Sequence, residues 1–190
     1  MRILIIGDSQ AGNPGAAAKR ELEALGHTAT QVHNDGQGPV SYVNDVALWS
    51  QYATLANQAD IVVLFFGHND RASARLEAAL TRLRNGVHPP VWMTGPPQYP
   101  HEVDQTQGAA IRTIAQNVFG PRYIDAWPFT STSLPRDAAG WHLTPSAAVP
   151  WGQAVAHAVA RASGANGSSG AWGAGLLVAL FAGLWALARR

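Results

Sequence analysis

The stretch that most constrains this chain is its opening. Residues 2–6, Arg-Ile-Leu-Ile-Ile, form a short apolar run rich in β-branched side chains, and the run breaks at once into Gly7-Asp8-Ser9. A helix-like segment follows over about 15–25. This is the pattern of a buried strand feeding a tight turn with a serine at its tip. In an open α/β sheet, ligands bind beyond the carboxyl ends of the strands, which is where Ser9 would stand.

Four further strand candidates follow at about 28–33, 61–66, 90–94 and 122–125. Segments with helical periodicity separate them. Leu76, Ala79, Leu80 and Leu83 share one face, as do Ile111, Ile114, Ala115 and Val118. Gly26, Asn85-Gly86 and Gly120-Pro121 supply helix stops. Strands alternating with helices predict βαβ units and a parallel sheet covered on both faces. Segment 39–57 is expected to hold a loop and then a helix from about Val46, and a last helix is expected over Ala147–Ala162.

With 190 residues the chain has room for one domain with a proper core. A formal net charge of +1 gives no electrostatic footprint for nucleic acid. The absence of cysteine excludes disulfides, zinc–thiolate sites and cysteine nucleophiles. The apolar run after Arg2 is too short for the core of a secretory signal, so none is expected.

The globular domain is expected to end at residue 162. Residues 163–170, Ser-Gly-Ala-Asn-Gly-Ser-Ser-Gly, have the composition of a flexible linker. Residues 171–188 form an uncharged stretch of 18, about 27 Å as a helix and close to the roughly 30 Å hydrocarbon core. Trp172 and Trp185 lie near its ends and Arg189-Arg190 close it, so 171–190 is expected to be a single transmembrane anchor. Ala171, Gly175, Ala179 and Gly183 recur every four residues, a stripe along which two such helices could self-associate. The arginines favour a cytoplasmic C-terminus; the missing signal favours a cytosolic domain. A virus-encoded protein reaching a virion or host envelope would reconcile the two.

Ser9 alone is weak evidence of chemistry. Gly7-x4-Gly12 has phosphate-loop spacing, but Asn13-Pro14 replaces the required Lys-Ser/Thr. The Gly-x-Ser-x-Gly elbow fails at Ala11. A serine there could simply cap the next helix. Three other clusters fall at the same sheet end. In Gly67-His68-Asn69-Asp70, the Asn amide could serve an oxyanion near Ser9 or form an Asx turn. In Asn34-Asp35-Gly36-Gln37-Gly38, a glycine could present a bare backbone N–H or merely form a loop. In Asp137-Ala138-Ala139-Gly140-Trp141-His142-Leu143-Thr144-Pro145, a histidine before the last helix could act as general base for Ser9.

These four blocks, in this order across residues 1–162, resemble the SGNH hydrolase superfamily, the GDSL esterases. The resemblance implies a flavodoxin-like three-layer α/β/α sandwich with a five-stranded parallel sheet. It implies Ser9 as nucleophile and as an oxyanion donor through its N–H. Gly38, in preference to Gly36, and Asn69 would be the other donors, and His142 the base. Thr94-Gly95-Pro96-Pro97 is similar to the family's substrate-side loop. The chain departs from the pattern twice. The family's orienting Asp lies three residues before the His, where this chain has Ala139. Asp137, five before, is then the expected third member, with Asp125 or a backbone carbonyl as alternatives. Gln10 replaces the usual Leu or Ile.

The implied chemistry is ester hydrolysis through an acyl-enzyme, with no metal or cofactor. Gly-His-Asn-Asp is similar to the third block of carbohydrate acetylesterases. Trp92, Gln98, Tyr99, His101 and Trp141 are groups that suit a sugar, or plain loop packing. His68 and Trp141 are the candidate substrate contacts, and O-deacetylation of a polysaccharide or envelope glycan is the expected reaction. Alternatives are a silent glycan-binding or structural component, an acyltransferase or a lipase.

Overall fold

Every second residue of the first strand faces the same layer, and that alternation organises the molecule. Strand β1 (Arg2–Gly7) sends Ile3 and Ile5 into one apolar cluster and Leu4 and Ile6 into the other. Its neighbours are β2 (Thr28–His33), β3 (Ile61–Phe65), β4 (Val91–Thr94) and β5 (Tyr123–Ile124). All pair in parallel in the order β2-β1-β3-β4-β5. That is the flavodoxin-like doubly wound order, with its switch point between β1 and β3. The expected five-stranded parallel sheet is present.

Helices cover both faces, because both faces of the central strands are apolar. Helices α1 (Asn13–Ala24) and α6 (Val149–Ala165) lie on one side. Trp151 of α6 is fully buried there, its ring against Phe65 and its indole N–H donating to Thr94 Oγ1 at 2.8 Å. The other side is covered by α2 (Pro39–Asn44), α3 (Val46–Ala56), α4 (Ala74–Asn85) and α5 (Glu102–Phe119). The predicted α4 face, Leu76, Ala79, Leu80 and Leu83, is wholly buried. Burial of such side chains contributes roughly 1.5–3 kcal/mol each for the larger ones.

Segment 39–57 differs from its expectation, holding two helices rather than a loop and one helix. Pro39 opens α2, and the Asp70 carboxylate accepts the Val40 N–H at 2.8 Å. Asp45 then leaves the helical conformation and caps α3, accepting from Ala47 N and Leu48 N.

The computed structural model describes residues 1–165, of which Met1–Ala160 form one compact unit. Helix α6 runs to Ala165, so residues 163–165, expected to begin the linker, are helical. The rest of the linker and the expected span 171–188 lie outside the described residues. Among the described residues, no helix is long and apolar enough to cross a membrane.

Candidate active site

The turn that carries Ser9 is built by close backbone approach. A Cβ on Gly7 would fall 1.8 Å from the Phe65 carbonyl oxygen, so only glycine lets β1 run this close to β3. Asp8 N–H then donates to that carbonyl at 3.1 Å, and the chain turns into a 3-10 turn over Ser9–Ala11. Tyr42 of α2 supports the turn from below, its hydroxyl donating to Gly7 O at 2.8 Å. Ser9 emerges half-exposed at the switch point, beside the end of β3 that carries Gly67–Asp70.

His142 reaches Ser9 from the loop before α6. Its Nε2 lies 2.7 Å from Ser9 Oγ, and its Nδ1 lies 2.6 Å from Asp137 Oδ2. An ionised carboxylate can only accept, so Nδ1 carries the imidazole proton and Nε2 presents its lone pair to the serine hydroxyl. Partial desolvation disfavours the Asp137 charge, but hydrogen bonds from the His142 side chain and the His142 and Trp141 backbone outweigh it. The carboxyl is held below its ordinary value.

The five-residue spacing works because the chain doubles back. Arg136 and Leu143 form an antiparallel bridge, and Asp137 N–H donates to His142 O at 2.9 Å. Gly140, at φ 77°, closes the turn with its N–H on Asp137 O. Asp137 and His142 therefore stand side by side at the base of a small hairpin. Asp125, the alternative partner, is engaged elsewhere: both its oxygens take Arg112 of α5.

Asp8, to which no role was given from sequence, lies at the centre of the site and is fully buried. Its carboxylate accepts from Gln10 N, Gly67 N and Asn69 Nδ2, each at 2.8 Å. Burial pushes its carboxyl up to about 6, against the opposing pull of those three donors and of His142. Asn69 is thereby fixed at the rim by one of its two amide hydrogens.

A cavity of about 190 Å³ opens over Ser9, with Gly36, His68, Asn69, Trp141 and His142 among its walls. The glycine in this wall is Gly36, exposed at φ 73°, and not Gly38. Gly38 is buried, and a Cβ on it would meet the Asp70 carboxylate at 2.3 Å. Gly36 and Gly38 therefore both remain candidate donors, Gly36 from the cavity wall and Gly38 from the start of α2. Asp35-Gly36, a turn dipeptide, carried the signal in the sequence.

His68 and Trp141 both line the cavity, and their rings meet edge-on at 5.8 Å. Burial, opposed by nearby Asp104, holds the His68 imidazole below its ordinary value. Trp141 is 45% exposed, open to a ligand, whereas Tyr99 is 1% exposed and packs on His68 at 4.3 Å. Trp92 packs against the core and Gln98 donates to Trp127 O, so neither is presented as a sugar platform. A larger groove of about 580 Å³, lined by Arg71, Glu102, Asp104 and Gln107, adjoins through His68. Among the described residues, no group of three or more His, Asp or Glu is placed to hold a metal ion.

The strand order gives the chain a flavodoxin-like α/β hydrolase fold with the four blocks gathered at one sheet end, and solved structures share that fold. It is similar to an aryl esterase from M. smegmatis, at TM-score 0.61 and 17% identity over 84% of this chain and 98% of that one. It is similar to LAE5, an α/β hydrolase from the metagenome of Lake Arreo, at TM-score 0.62 and 16% identity over 86% and 94%. At these identities the likeness is one of fold. No protein-family model and no curated protein sequence matches the chain.

Proposed function

We propose that this protein is a serine esterase that removes a small acyl group, acetyl in the simplest case, from a hydroxyl of a polysaccharide or envelope glycan. The observation that carries the esterase reading is the continuous line Asp137–His142–Ser9, with contacts of 2.6 and 2.7 Å. His142 Nε2 takes the Ser9 proton as Oγ attacks the ester carbonyl carbon. The backbone N–H groups at Ser9 and at Gly38, or in its place Gly36, together with the second amide hydrogen of Asn69, receive the oxyanion. As the carbon–oxygen bond to the alcohol breaks, His142 returns the proton to the departing alcohol. Water then attacks the acyl-serine with His142 as base, yielding the acid and free Ser9.

Two features support the substrate class. A cavity of about 190 Å³ suits a short acyl group better than a fatty chain. The adjoining groove, with Arg71, Glu102, Asp104 and Gln107, offers hydrogen-bonding groups to a polyhydroxylated alcohol, and Trp141 offers a ring face. The expected bilayer anchor at 171–188, with self-association along Ala171, Gly175, Ala179 and Gly183, belongs to the same proposal; release from membranes by carbonate alone would sink it.

The test follows p-nitrophenyl acetate hydrolysis, fluorophosphonate labelling and acetate release from acetylated xylan or peptidoglycan by the full chain and its Ser9→Ala variant. Labelling and turnover that vanish in Ser9→Ala are expected. A folded wild type that takes no label overturns the esterase reading. Label with no acetate released from either polymer overturns the substrate class.

A further inference from the structure

The hairpin that carries His142 projects from the fold. Asp137, Ala138, Ala139 and Trp141 are all exposed. Leu143, buried at its base, anchors one end in the core. Arg136 anchors the other end, donating to Gln98 O and Thr130 O. Neither of these bonds reaches the serine turn, yet His142 Nε2 stands 2.7 Å from Ser9 Oγ. Something must fix the chain on both sides of the histidine.

Two amides on the nucleophile segment do so. Gln10 Nε2 donates to Trp141 O at 3.3 Å, and Asn13 Nδ2 donates to Leu143 O at 2.8 Å. The two carbonyls flank His142 in the chain. Gln10 is 4% exposed, an unusual place for a glutamine unless its amide is used. Arg136 adds a second donor to Trp141 O, at 3.3 Å, from within the hairpin itself. Gln10 and Asn13 differ from Arg136 in kind, because they belong to the same short segment as Ser9. They tie the base directly to the nucleophile rather than to the sheet.

We propose that Gln10 and Asn13 are positioning residues for His142. They dock the 136–143 hairpin onto the serine turn and set the imidazole at attacking distance. The proposal rests on the esterase reading only for its kinetic consequence; the docking itself is a statement about the loop. Asn13, with the shorter bond, carries the larger share.

The test uses the full chain with Gln10→Met and Asn13→Ala, singly and together. Met keeps the side-chain length and removes the donor. The first readout is amide hydrogen exchange at Trp141 and His142, whose N–H groups donate to Asp137 Oδ1. Exchange there is expected to rise about fivefold in the double variant, with β1 and β3 unchanged. The second readout is kcat and KM on p-nitrophenyl acetate. A misplaced base costs kcat, so a fall of about tenfold with KM within about twofold is expected. That fall should shrink when Asp137 is already Ala, since residues acting through one loop are not additive.

Unchanged exchange overturns the proposal, whatever the activity. So does a rise in KM at constant kcat, which would make Gln10 a substrate contact. If Gln10→Met raises exchange across the whole sheet, Gln10→Glu decides instead. It matches glutamine in size but turns an acceptor toward Trp141 O, and local exchange equal to wild type in that variant overturns the proposal. A wild type that fluorophosphonate does not label sinks the esterase reading separately, and the exchange result still rules on the docking.

Discussion

Asp8 Oδ2 accepts a hydrogen bond from Asn69 Nδ2 at 2.8 Å, joining the residue before Ser9 to the strand end across the switch point. One amide hydrogen of Asn69 is used in that bond, and the other is left for the cavity. The bond thus aims a donor without occupying it. Asn69→Ala is expected to lower kcat on p-nitrophenyl acetate by roughly 10²–10³, with little change in KM, as for loss of one oxyanion donor. A rise in KM at unchanged kcat would place Asn69 in ground-state binding instead.

The burial of Asp8 has a consequence for stability against pH. Its carboxyl titrates at about 6 in the folded protein, against 3.8 as its ordinary value. Between those values the folded state holds a proton that the unfolded chain has released. Stability from this group is therefore present at acid pH and is lost as pH rises from about 4 to about 6. Two pH units correspond to a loss on the order of 3 kcal/mol. The slope of unfolding free energy against pH, measured over that window by urea titration, should be more negative in the wild type than in Asp8→Asn. Equal slopes would mean Asp8 is ionised throughout.

Much of the fold was legible because its signals are local. The apolar runs of β1 and β3 and the helical stripe of α4 each state their own structure, and glycine marks where they stop. The four blocks were legible as a set because all fall at one sheet end. What escaped depends on contacts distant in sequence. Helix α2 is six residues long, and it forms because Asp70, thirty residues on, accepts from its first turn. The need for glycine at 38 turns on that same carboxylate, which fills the space a Cβ would take. Gln10 had no account in sequence terms because its partner, Trp141 O, is 131 residues away. Asp8 is adjacent to Ser9, yet two of its three donors, Gly67 N and Asn69 Nδ2, come from a turn some sixty residues away.

Gly7 tests whether the turn that carries Ser9 is built as described. In Gly7→Ala the new Cβ would stand 1.8 Å from Phe65 O and 2.7 Å from its carbonyl carbon. Neither atom is the flexible end of a side chain, so β1 and β3 must separate. The expected cost is roughly 2–4 kcal/mol, read as a fall in Tm of about 5–15 °C, or outright failure to fold. A Tm within a degree of wild type would show that β1 and β3 do not approach this closely.

Asp137 and Asp125 make a paired test of the third member of the site. Asp137 is on the exposed hairpin and bonds His142 Nδ1 at 2.6 Å, while Asp125 is held by Arg112 at the end of β5. Removing the charge at 137 leaves nothing to fix the imidazole tautomer. Asp137→Asn is therefore expected to lower kcat by roughly 10²–10⁴. Its effect on Tm should be small, because the residue is exposed and contributes little to packing. Asp125→Asn should do the reverse, breaking a surface-accessible ion pair for about 1 kcal/mol and leaving kcat near wild type. Measuring kcat and Tm for both variants separates a residue that acts on His142 from one that holds the sheet edge. Should Asp125→Asn lose the activity and Asp137→Asn keep it, the hairpin would not be the source of the orienting carboxylate.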